Sequence, residues 1–507
     1  MISTKYPFLA DLDVDNLVIH KLTLNLDNIV RGNDHVLVTP LGKAVAPDVI
    51  LREFDAIFNS PGNLSTMNKP LLELESSNKD KYGPRSIQKP WSERRASVLD
   101  YFESDRLIDQ TLNYEIQNSK DKQTLRPIPR DKALGFLKNN TLSGLPFYTS
   151  KGSAKEFLRK DFDYYFDRDD PSVLLTRTQE KGKTRNVWCE CVALALFEMM
   201  YYRPLLEYQR KLSWRSALVG PEEVDRHVTD LVNQALLRDL FLASLDYERF
   251  DASCKSYIQN GSFGYVKSLY QRNSWRDIDI IASRFNKSGI ITPDGVMKGP
   301  HGIPSGSVFT NEIGSVSQML IARQSKLVFP ENMQVQGDDG VSLVKNDNVS
   351  SFFAQFTKYG LTVNKSKSII SKQYCTYLQK LYDADYRKED GIIGGIYPVY
   401  RALNRLVYQE RWSNFEEYGM DGKDYYSIRA ITILENCKNH PLFGSLVKFI
   451  HGLDKYNLNY SQNGLNKYVS MLTESKGLEG LMVNQYGDNL KGISNFETVK
   501  LLRSLKA

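Results

Sequence analysis

The stretch Met333-Gln-Val-Gln-Gly-Asp-Asp-Gly-Val-Ser-Leu-Val344 decides how the rest of the chain is organised. β-Forming residues lead up to Gly337 and resume after two aspartates, which predicts a strand, a tight turn and a second strand. The turn would hold Asp338 and Asp339 side by side at one end of a sheet. Two carboxylates this close favour a hard divalent cation such as Mg²⁺ beside them. Asp-Asp-Gly is also common in turns that bind nothing, so a metal-binding role has to be supported by other parts of the sequence.

A third carboxylate follows an apolar run that is typical of a strand. The run 240–245 ends at Asp246, and Asp251 follows five residues later. If this strand lies beside the predicted hairpin, three carboxylates meet at one sheet edge, as a site for two metal ions requires. Taken alone, an aspartate after a strand is simply a turn residue.

Basic residues cluster in 174–188, where Gly182 marks the turn of a second predicted hairpin. Its four cations are Arg177, Lys181, Lys183 and Arg185. Alternation along an extended strand puts Lys181, Lys183 and Arg185 on one face. A row of cations suits a triphosphate, whereas the alternative is an edge strand that its charges protect from pairing.

Two loops carry flexible and hydroxyl-bearing residues. In the first, Ser143, Gly144 and Lys151 offer groups that suit phosphate contacts, although a plain surface loop fits equally well. In the second, 295–320, a Gly/Pro-rich loop precedes a helix that starts near Ser307 and carries small residues. Small residues would let a nucleic acid strand approach closely, or would let the helix pack tightly on a neighbour.

The composition limits the classes of protein to which the chain can belong. With 41% hydrophobic and 25% charged residues and a net charge of +6, the 507-residue chain has an ordinary soluble composition. Its apolar runs fall short of the ~20 residues of a membrane span. The N-terminus lacks a signal peptide's apolar core and a glycine at position 2, so we expect no membrane partner. The scattered cysteines are expected to be reduced, namely Cys189, Cys191, Cys254, Cys375 and Cys437. Cys189 and Cys191 lack the further ligands of a zinc site, so they are expected to be structural.

The remaining segments carry no obvious chemistry. β-Like runs are predicted over 16–24 and 35–38, and a linker or strap rich in Pro, Ser, Asn and Gly over 59–92. One short strand is predicted over 376–382. The helical patterns fall over 47–58, 97–117, 192–206 and 349–359, and from Pro398 onward.

These blocks, in this order, resemble the viral RNA-dependent RNA polymerases over roughly 140–385. The string 302–315 is most similar to the small double-stranded RNA viruses of the partitivirus kind, with the picobirnaviruses as relatives. The resemblance implies an α+β right-hand fold of fingers, palm and thumb, with an antiparallel palm sheet and a helical thumb. The expected boundaries are an N-terminal extension bridging fingers and thumb (1–120), fingers (121–225), palm (226–254), a fingers insertion (255–294), palm (295–385) and thumb (386–507).

The family's seven motifs carry over by position. The matching segments are 143–151 for motif G, 177–185 for F, 246–251 for A, 305–310 for B, 337–339 for C, Lys365 and Lys367 for D, and 377–382 for E. One position departs from the pattern, because many relatives place an asparagine nine residues after Ser305, where this chain has Gly314. The nearest asparagine is Asn311, three residues earlier and on roughly the same side of a helix.

The resemblance implies a role for each matched residue. Asp246 and Asp338, assisted by Asp339, would hold two Mg²⁺ ions, with Mn²⁺ as a substitute, and Lys367, ahead of Lys365, would protonate the pyrophosphate. The expected nucleotide-binding residues are Arg177, Lys181, Lys183, Arg185, Asp251, Ser305, Thr310 and Asn311. The expected RNA-binding residues are Ser143, Gly144, Lys151 and Gly306.

The implied activity is synthesis of RNA on an RNA template, serving replication and transcription of a double-stranded RNA genome. The implied partners are template and nascent RNA, NTPs and the viral capsid protein, with a monomer working in the virion interior or host cytoplasm. A reverse transcriptase is the alternative enzyme, but Asp251 and Gly337 argue against it. A catalytically inactive RNA-binding or capsid-associated protein is the alternative from another class. A metal-dependent nuclease would not need the cationic hairpin.

Overall fold

The structure is a computed structural model, and it describes residues 5–102, 112, 114, 121–473 and 490–505. The strands β1 to β10 span Ser172–Thr178, Thr184–Cys189, Phe241–Leu245, Ile290–Thr292, Gly295–Met297, Met333–Gln336, Asp339–Val344, Ile369–Ser371, Tyr374–Tyr377 and Lys380–Asp383. Within these ranges no helix is both long enough and apolar enough to cross a bilayer.

Helices make up most of the remaining structure. The α-helices α1 to α21 span Asn16–Arg31, Pro40–Ala44, Pro47–Phe58, Pro61–Leu64, Lys69–Lys79, Trp91–Phe102, Arg130–Phe136, Lys151–Lys160, Phe162–Asp167, Val192–Gln209, Pro221–Arg238, Phe250–Ser253, Ser256–Leu269, Trp275–Lys287, Thr310–Gln324, Val349–Lys358, Val399–Val407, Gly422–Glu435, Phe443–Leu453, Gln462–Thr473 and Glu497–Ser504. Short 3-10 turns connect them at Pro7–Asp11, Glu180–Gly182, Ser213–Leu218, Arg272–Ser274, Pro330–Asn332, Asn346–Asn348, Phe415–Tyr418 and Leu490–Asn495.

A four-stranded antiparallel sheet in the order β6-β7-β3-β8 forms the centre of the molecule. Its side chains alternate between two buried faces, as the period of a strand requires. Leu242 and Val341 pack with α11 on one face, whereas Ala243 and Leu245 pack with α13, α15 and α16 on the other. Helices therefore cover both faces, and the ends of β3 and β7 fix where the acidic residues lie.

The N-terminal segment contacts two distant parts of the chain. Helix α1 packs on the second sheet, β2-β1-β4-β5, through Val18 and Leu22. Helices α3 and α5 pack instead on the C-terminal helices α17 to α19, through Phe54 and Leu71. The N-terminal segment therefore contacts both the second sheet and the C-terminal helices, while the proposed domain boundaries stay predictions.

Several predictions of local structure are confirmed and others are wrong. The mixed α+β class with an antiparallel central sheet is confirmed, as are the helix Pro47–Phe58 and the hairpin of β6 and β7. The β-like run at 16–24 is instead helix α1, because Asp15 caps it and its apolar residues recur at helical spacing. The predicted linker 59–92 contains α4 and α5.

The single strand predicted over 376–382 is a hairpin of β9 and β10, which turns at Leu378 and Gln379 with positive φ. The helix predicted over 97–117 is α6, which begins earlier at Trp91 and ends at Phe102. Most of the rest of that predicted helix lies outside the described residues.

Candidate active site

The turn between β6 and β7 holds the two adjacent aspartates. Gly337 has a φ of +67°, a conformation that favours glycine. Its N–H donates to Ser315 Oγ at 2.7 Å, and its carbonyl accepts from Gln318 Nε2 at 3.1 Å. Helix α15 therefore fixes the backbone of the turn, and Asp338 projects into solvent at its tip.

Asp246 reaches the same edge from the neighbouring strand. Strand β3 pairs with β7 so that Leu245 lies opposite Gly340, which places Asp246 next to Asp339 across the sheet. The Asp246 N–H donates to Ser368 Oγ at 3.1 Å. Burial raises the pKa of Asp246, with the Asp338 carboxylate adding to the shift and Lys367 and Lys183 opposing it.

The other two carboxyl groups share this crowded environment. Burial and the charge of Asp338 raise the pKa of Asp339 to about 7, although Asp339 Oδ2 accepts from Leu378 N at 2.9 Å. Burial and Asp338 also raise the pKa of Asp251 to about 7, against the opposing charge of Arg185. The structure thus brings together the predicted acidic residues, which repel one another as they stand.

This donor set fits Mg²⁺ better than an ion that demands an all-protein cage. Among the described residues no three acidic, histidine or cysteine side chains enclose a common point. Mg²⁺ usually keeps several waters and takes one or two carboxylates together with substrate phosphates. The open pair Asp246 and Asp338 matches that requirement, with Asp339 half-buried behind it.

The loop of Ser305 and Gly306 is docked on strand β2. Ser305 Oγ accepts from Trp188 N at 3.2 Å and donates to Asn186 O at 3.4 Å. A Cβ on Gly306 would lie 1.7 Å from Trp188 O, so only glycine fits there. Thr310 Oγ1 donates to the Pro304 carbonyl at 2.6 Å. The predicted binding residues of this loop therefore also hold its shape.

Sequence reasoning missed Glu198, a buried anchor of the same loop. Its carboxylate accepts from Ser307 Oγ and from Val308 N, each at 2.8 Å. Burial raises its pKa to about 7, although both hydrogen bonds oppose the shift. The available signal was one acidic residue inside the apolar run of the predicted helix 192–206, which is α10 in the structure.

Helix α15 presents Asn311 and Gly314 to the aspartate turn. A Cβ on Gly337 would lie 3.1 Å from Asn311 Nδ2, and one on Gly314 would lie 3.6 Å from Gly337 Cα and 3.3 Å from the Phe250 ring. The two positions therefore share one face, as predicted. The close packing at Gly314 explains the departure from the family pattern, because a larger side chain would push against Phe250 and the turn.

The cationic hairpin forms as β1 and β2, with Arg177 opposite Arg185. The prediction that Lys181, Lys183 and Arg185 share one face is wrong for Lys181, whereas Lys183 has an extended backbone next to β2. Glu180–Gly182 is a 3-10 turn in which Lys181 has a φ of +57°, so strand alternation does not pass through it. β2 begins only at Thr184.

The four predicted cations therefore have different surroundings. Arg177 pairs with Glu410 at 2.8 Å, and Arg185 Nε donates to Gln179 Oε1 at 2.9 Å. The charge of Lys183 interacts with those of Asp246 and Asp338. The charge of Lys183 therefore acts on the metal-binding candidates Asp246 and Asp338, and that of Arg185 acts on Asp251.

The two motif D lysines point to different places. Lys367 lies in the turn whose Asn364 N–H donates to the Asp246 carbonyl at 2.8 Å, and its charge acts on Asp246 more strongly than any other. Lys365 instead lines a groove beside α16, with Phe353 and Val363. This placement favours Lys367 over Lys365 for a role at the carboxylates.

The prediction that Ser143 contacts RNA is wrong for its side chain. Ser143 is fully buried, and its hydroxyl donates to the Gly144 carbonyl and accepts from Thr149 N, both at 3.1 Å. Gly144 packs so closely that a Cβ would lie 2.3 Å from Glu190 O. Lys151, at the start of α8, is partly exposed. Buried hydroxyls shape this loop, which the sequence pattern could not distinguish from exposed ones.

Comparison with known proteins identifies relatives of this arrangement. Residues 158–392 match the model of the viral RNA-dependent RNA polymerase family. A potential RNA-dependent RNA polymerase of human picobirnavirus is 26% identical over 94% of this chain and 95% of its own length. An RNA-directed RNA polymerase of Cryptosporidium parvum virus 1 is 23% identical over 46% of this chain and 49% of its own.

A solved structure shows the same fold. The crystal structure of a human picobirnavirus RNA-dependent RNA polymerase superposes with a TM-score of 0.80, at 24% identity, over 99% of both chains. The right-hand fold is therefore confirmed, and the match to the family model together with the picobirnavirus relative confirms the resemblance inferred from the ordered motifs. The prediction of an RNA-directed RNA polymerase is confirmed by the family model and by both relatives.

Proposed function

We propose that this chain, an RNA-directed RNA polymerase by its relatives and its fold, copies RNA templates to replicate and transcribe a double-stranded RNA viral genome. The observation that carries the proposal is the meeting of Asp246 with Asp338 and Asp339 at one sheet edge, facing Lys183. Acidic residues for metal ions and a cation for the triphosphate are the two requirements of nucleotidyl transfer.

The roles of the site residues follow from their positions. Two Mg²⁺ ions, or Mn²⁺ in their place, would activate the primer hydroxyl and stabilise charge on the transferred phosphoryl group when bound. Asp246 and Asp338 would hold them, with Asp339 assisting from behind. Lys183 would neutralise the triphosphate, together with Arg177, Lys181 and Arg185. Lys367 would give a proton to the departing pyrophosphate.

The test is incubation of the purified protein with single-stranded RNA, four NTPs and Mg²⁺ or Mn²⁺, followed by sizing of the product. We expect labelled RNA of template length. Preferential incorporation of dNTPs over NTPs would favour a reverse transcriptase, and shortening of the template would favour a nuclease. RNA binding without synthesis under either ion would contradict the proposal and favour a catalytically inactive RNA-binding protein.

Asp251 is proposed to select ribose. Its partly buried carboxyl group lies within reach of the charges of Asp338 and Arg185, where reverse transcriptases usually have a bulky aromatic ring. Together with Ser305 and with Thr310 or Asn311, Asp251 would form a hydrogen-bond network that stabilises a bound 2′-OH. We expect Asp251→Ala to lower the preference for ATP over dATP by roughly 10- to 100-fold.

The measurement for this substitution is kcat/KM for ATP and dATP on one template. Asp347→Ala, in a 3-10 turn beyond β7, is the matched control. An unchanged ratio with Asp251→Ala would remove Asp251 from sugar selection.

Lys367 is proposed as the general acid, and Lys365 supplies a matched control two residues away. We expect Lys367→Ala to lower kcat by about 10²- to 10⁴-fold, the usual contribution of a positioned proton donor. Lys365→Ala should change kcat less than about 3-fold, because its side chain faces the α16 groove. Single-turnover incorporation measures both. Equal effects from the two variants would contradict the assignment.

We expect the protein to act as a monomer and to contact the viral capsid protein, in the virion interior or the host cytoplasm. The family resemblance supports these expectations. Sedimentation of the purified protein alone and with capsid protein tests both, since a stable dimer or the absence of co-sedimentation would contradict them.

A further inference from the structure

Residues 85–97, here called the clamp segment, contact the cationic hairpin of β1 and β2 from its turn to its strands. At one end, the buried Arg85 pairs with Glu180 in the turn at 3.2 Å. The Lys89 N–H donates to Thr184 Oγ1, at the start of β2, at 2.9 Å. One ion pair and one backbone hydrogen bond therefore attach the clamp segment to the turn of the hairpin.

The other end of the clamp segment joins the two strands. Arg94, on α6, is buried, and its guanidinium donates to Thr176 Oγ1 at 2.6 Å and to Asn186 Oδ1 at 2.7 Å. Thr176 on β1 and Asn186 on β2 lie opposite each other. Asn186 Nδ2 also donates to Ser97 Oγ at 2.9 Å. The strands are therefore held at this cross-strand pair independently of Arg85, which acts on the turn.

Arg85 also links the turn to the chain that follows α17. One oxygen of Glu410 accepts from Arg85 Nη2 at 3.5 Å, and the other accepts from Arg177 Nε at 2.8 Å. Of these two cations Arg85 is the buried one, with 10% of its side chain exposed against 57% for Arg177. Ion pairs are screened less where they are buried. Removing Arg85 therefore takes away the stronger of the restraints on Glu180 and Glu410.

The turn that Arg85 restrains carries two of the predicted triphosphate-binding cations. The Lys183 N–H donates to the Glu180 carbonyl at 3.2 Å and closes the 3-10 turn, with Lys181 between them in sequence. A displacement of Glu180 would therefore displace both lysines. Cations that are already in place bind a phosphate more tightly than cations that must be ordered when it binds.

We propose that Arg85 is a positioning residue for nucleotide binding. Its ion pair with Glu180 holds the hairpin turn in the conformation that presents Lys181 and Lys183 to the triphosphate. Arg85 acts through the turn and does not itself contact the nucleotide. The proposal rests on the proposed polymerase function, and it gives a residue outside the matched range 158–392 a part in setting the affinity for NTP.

The first test compares Arg85→Met and Arg85→Lys with Arg95→Met. Arg95, on α6, pairs with Asp294 at 2.6 Å, in the turn between β4 and β5, so the control removes an equal charge and an ion pair outside the hairpin. We expect Arg85→Met to raise the KM for NTP by roughly 5- to 20-fold, because fewer molecules then hold the turn in its binding conformation. kcat should stay within about 3-fold of wild type. Arg85→Lys, which keeps the charge, should recover part of the affinity, and Arg95→Met should behave as wild type.

Glu180→Gln tests the same ion pair from the side of the hairpin and preserves the size of the side chain. We expect a similar rise in KM. Arg85→Met combined with Glu180→Gln should raise KM no further than the larger single effect, because both substitutions remove one interaction. Unchanged KM in both single variants would overturn the proposal, and so would additive effects. A loss of RNA affinity at unchanged KM would also overturn it.

Hydrogen exchange measures the restraint on the turn without any assay of activity. Arg85→Met should speed exchange at the amides of Gln179 and Lys183, whose hydrogen bonds close the turn, by roughly 10-fold. Unchanged exchange there would overturn the proposal. A lowered unfolding temperature with kcat falling as much as KM rises would assign Arg85 to the stability of the fold instead. If wild type makes no RNA, the exchange result still decides the role of Arg85, and that failure counts against the proposed function alone.

Discussion

Replacing Asp338 by Asn should abolish nucleotide incorporation at any Mg²⁺ concentration. The carboxylate projects from a turn that Gly337 and α15 hold rigidly, so the substitution changes charge and not shape. A metal ligand contributes several kcal/mol to the transition state, which corresponds to a loss of about 10³- to 10⁵-fold in rate. Primer extension over a series of Mg²⁺ concentrations measures the effect.

Asp339→Asn is the informative comparison for this prediction. One oxygen of Asp339 already accepts from Leu378 N, so its substitution should cost less activity than that of Asp338. Asp347→Asn should leave the rate unchanged, and all three variants should bind RNA as wild type does. Retained incorporation by Asp338→Asn would remove Asp338 as a metal ligand.

The elements that sequence patterns predicted well are those set by local rules. A glycine and two aspartates between β-forming residues predicted the β6–β7 hairpin, because turn geometry depends on the residues in the turn. The apolar run before Asp246 predicted β3, because a short run of apolar residues is typical of a buried strand. Their pairing could not be derived locally, and only the order of the motifs indicated that β3 and β7 are neighbours.

The predictions that failed depended on tertiary context. Apolar and polar residues alternate in parts of segment 16–24, as in a strand. The segment is helical because α1 buries its apolar face against β1 and β4. Ser143 looked available because a hydroxyl in a Gly/Pro-containing loop has no pattern that reveals burial. Glu198 and Arg85 act through partners more than 90 residues away, which no local window could contain.

A buried ion pair below the aspartate turn leads to the largest expected effect on stability. Arg215 and Glu312 are both fully buried, and Arg215 Nη2 donates to Glu312 Oε2 at 2.9 Å. Arg215 Nη1 also donates to the Val335 carbonyl in β6 at 3.4 Å. Burial raises the pKa of Glu312, and Arg215 opposes that shift. The pair connects α15, which holds Gly337, to the strand that leads into the turn.

Glu312→Ala should lower the free energy of unfolding by about 3–5 kcal/mol, because it leaves the Arg215 guanidinium buried without its counter-ion. Denaturant unfolding followed by tryptophan fluorescence measures the change. Glu331→Ala, at an exposed position before β6, should change stability by less than about 0.5 kcal/mol.

The double substitution Arg215→Leu with Glu312→Leu shows whether the ion pair stabilises the fold or serves only to position the aspartate turn. Replacing both charges by apolar groups of similar volume is often neutral for stability, so much of the loss in Glu312→Ala should be recovered. Incorporation should not recover to the same extent, because the bond from Arg215 to the Val335 carbonyl is gone and β6 loses a restraint three residues before Asp338. Equal recovery of stability and activity would show that the pair does not position the aspartate turn.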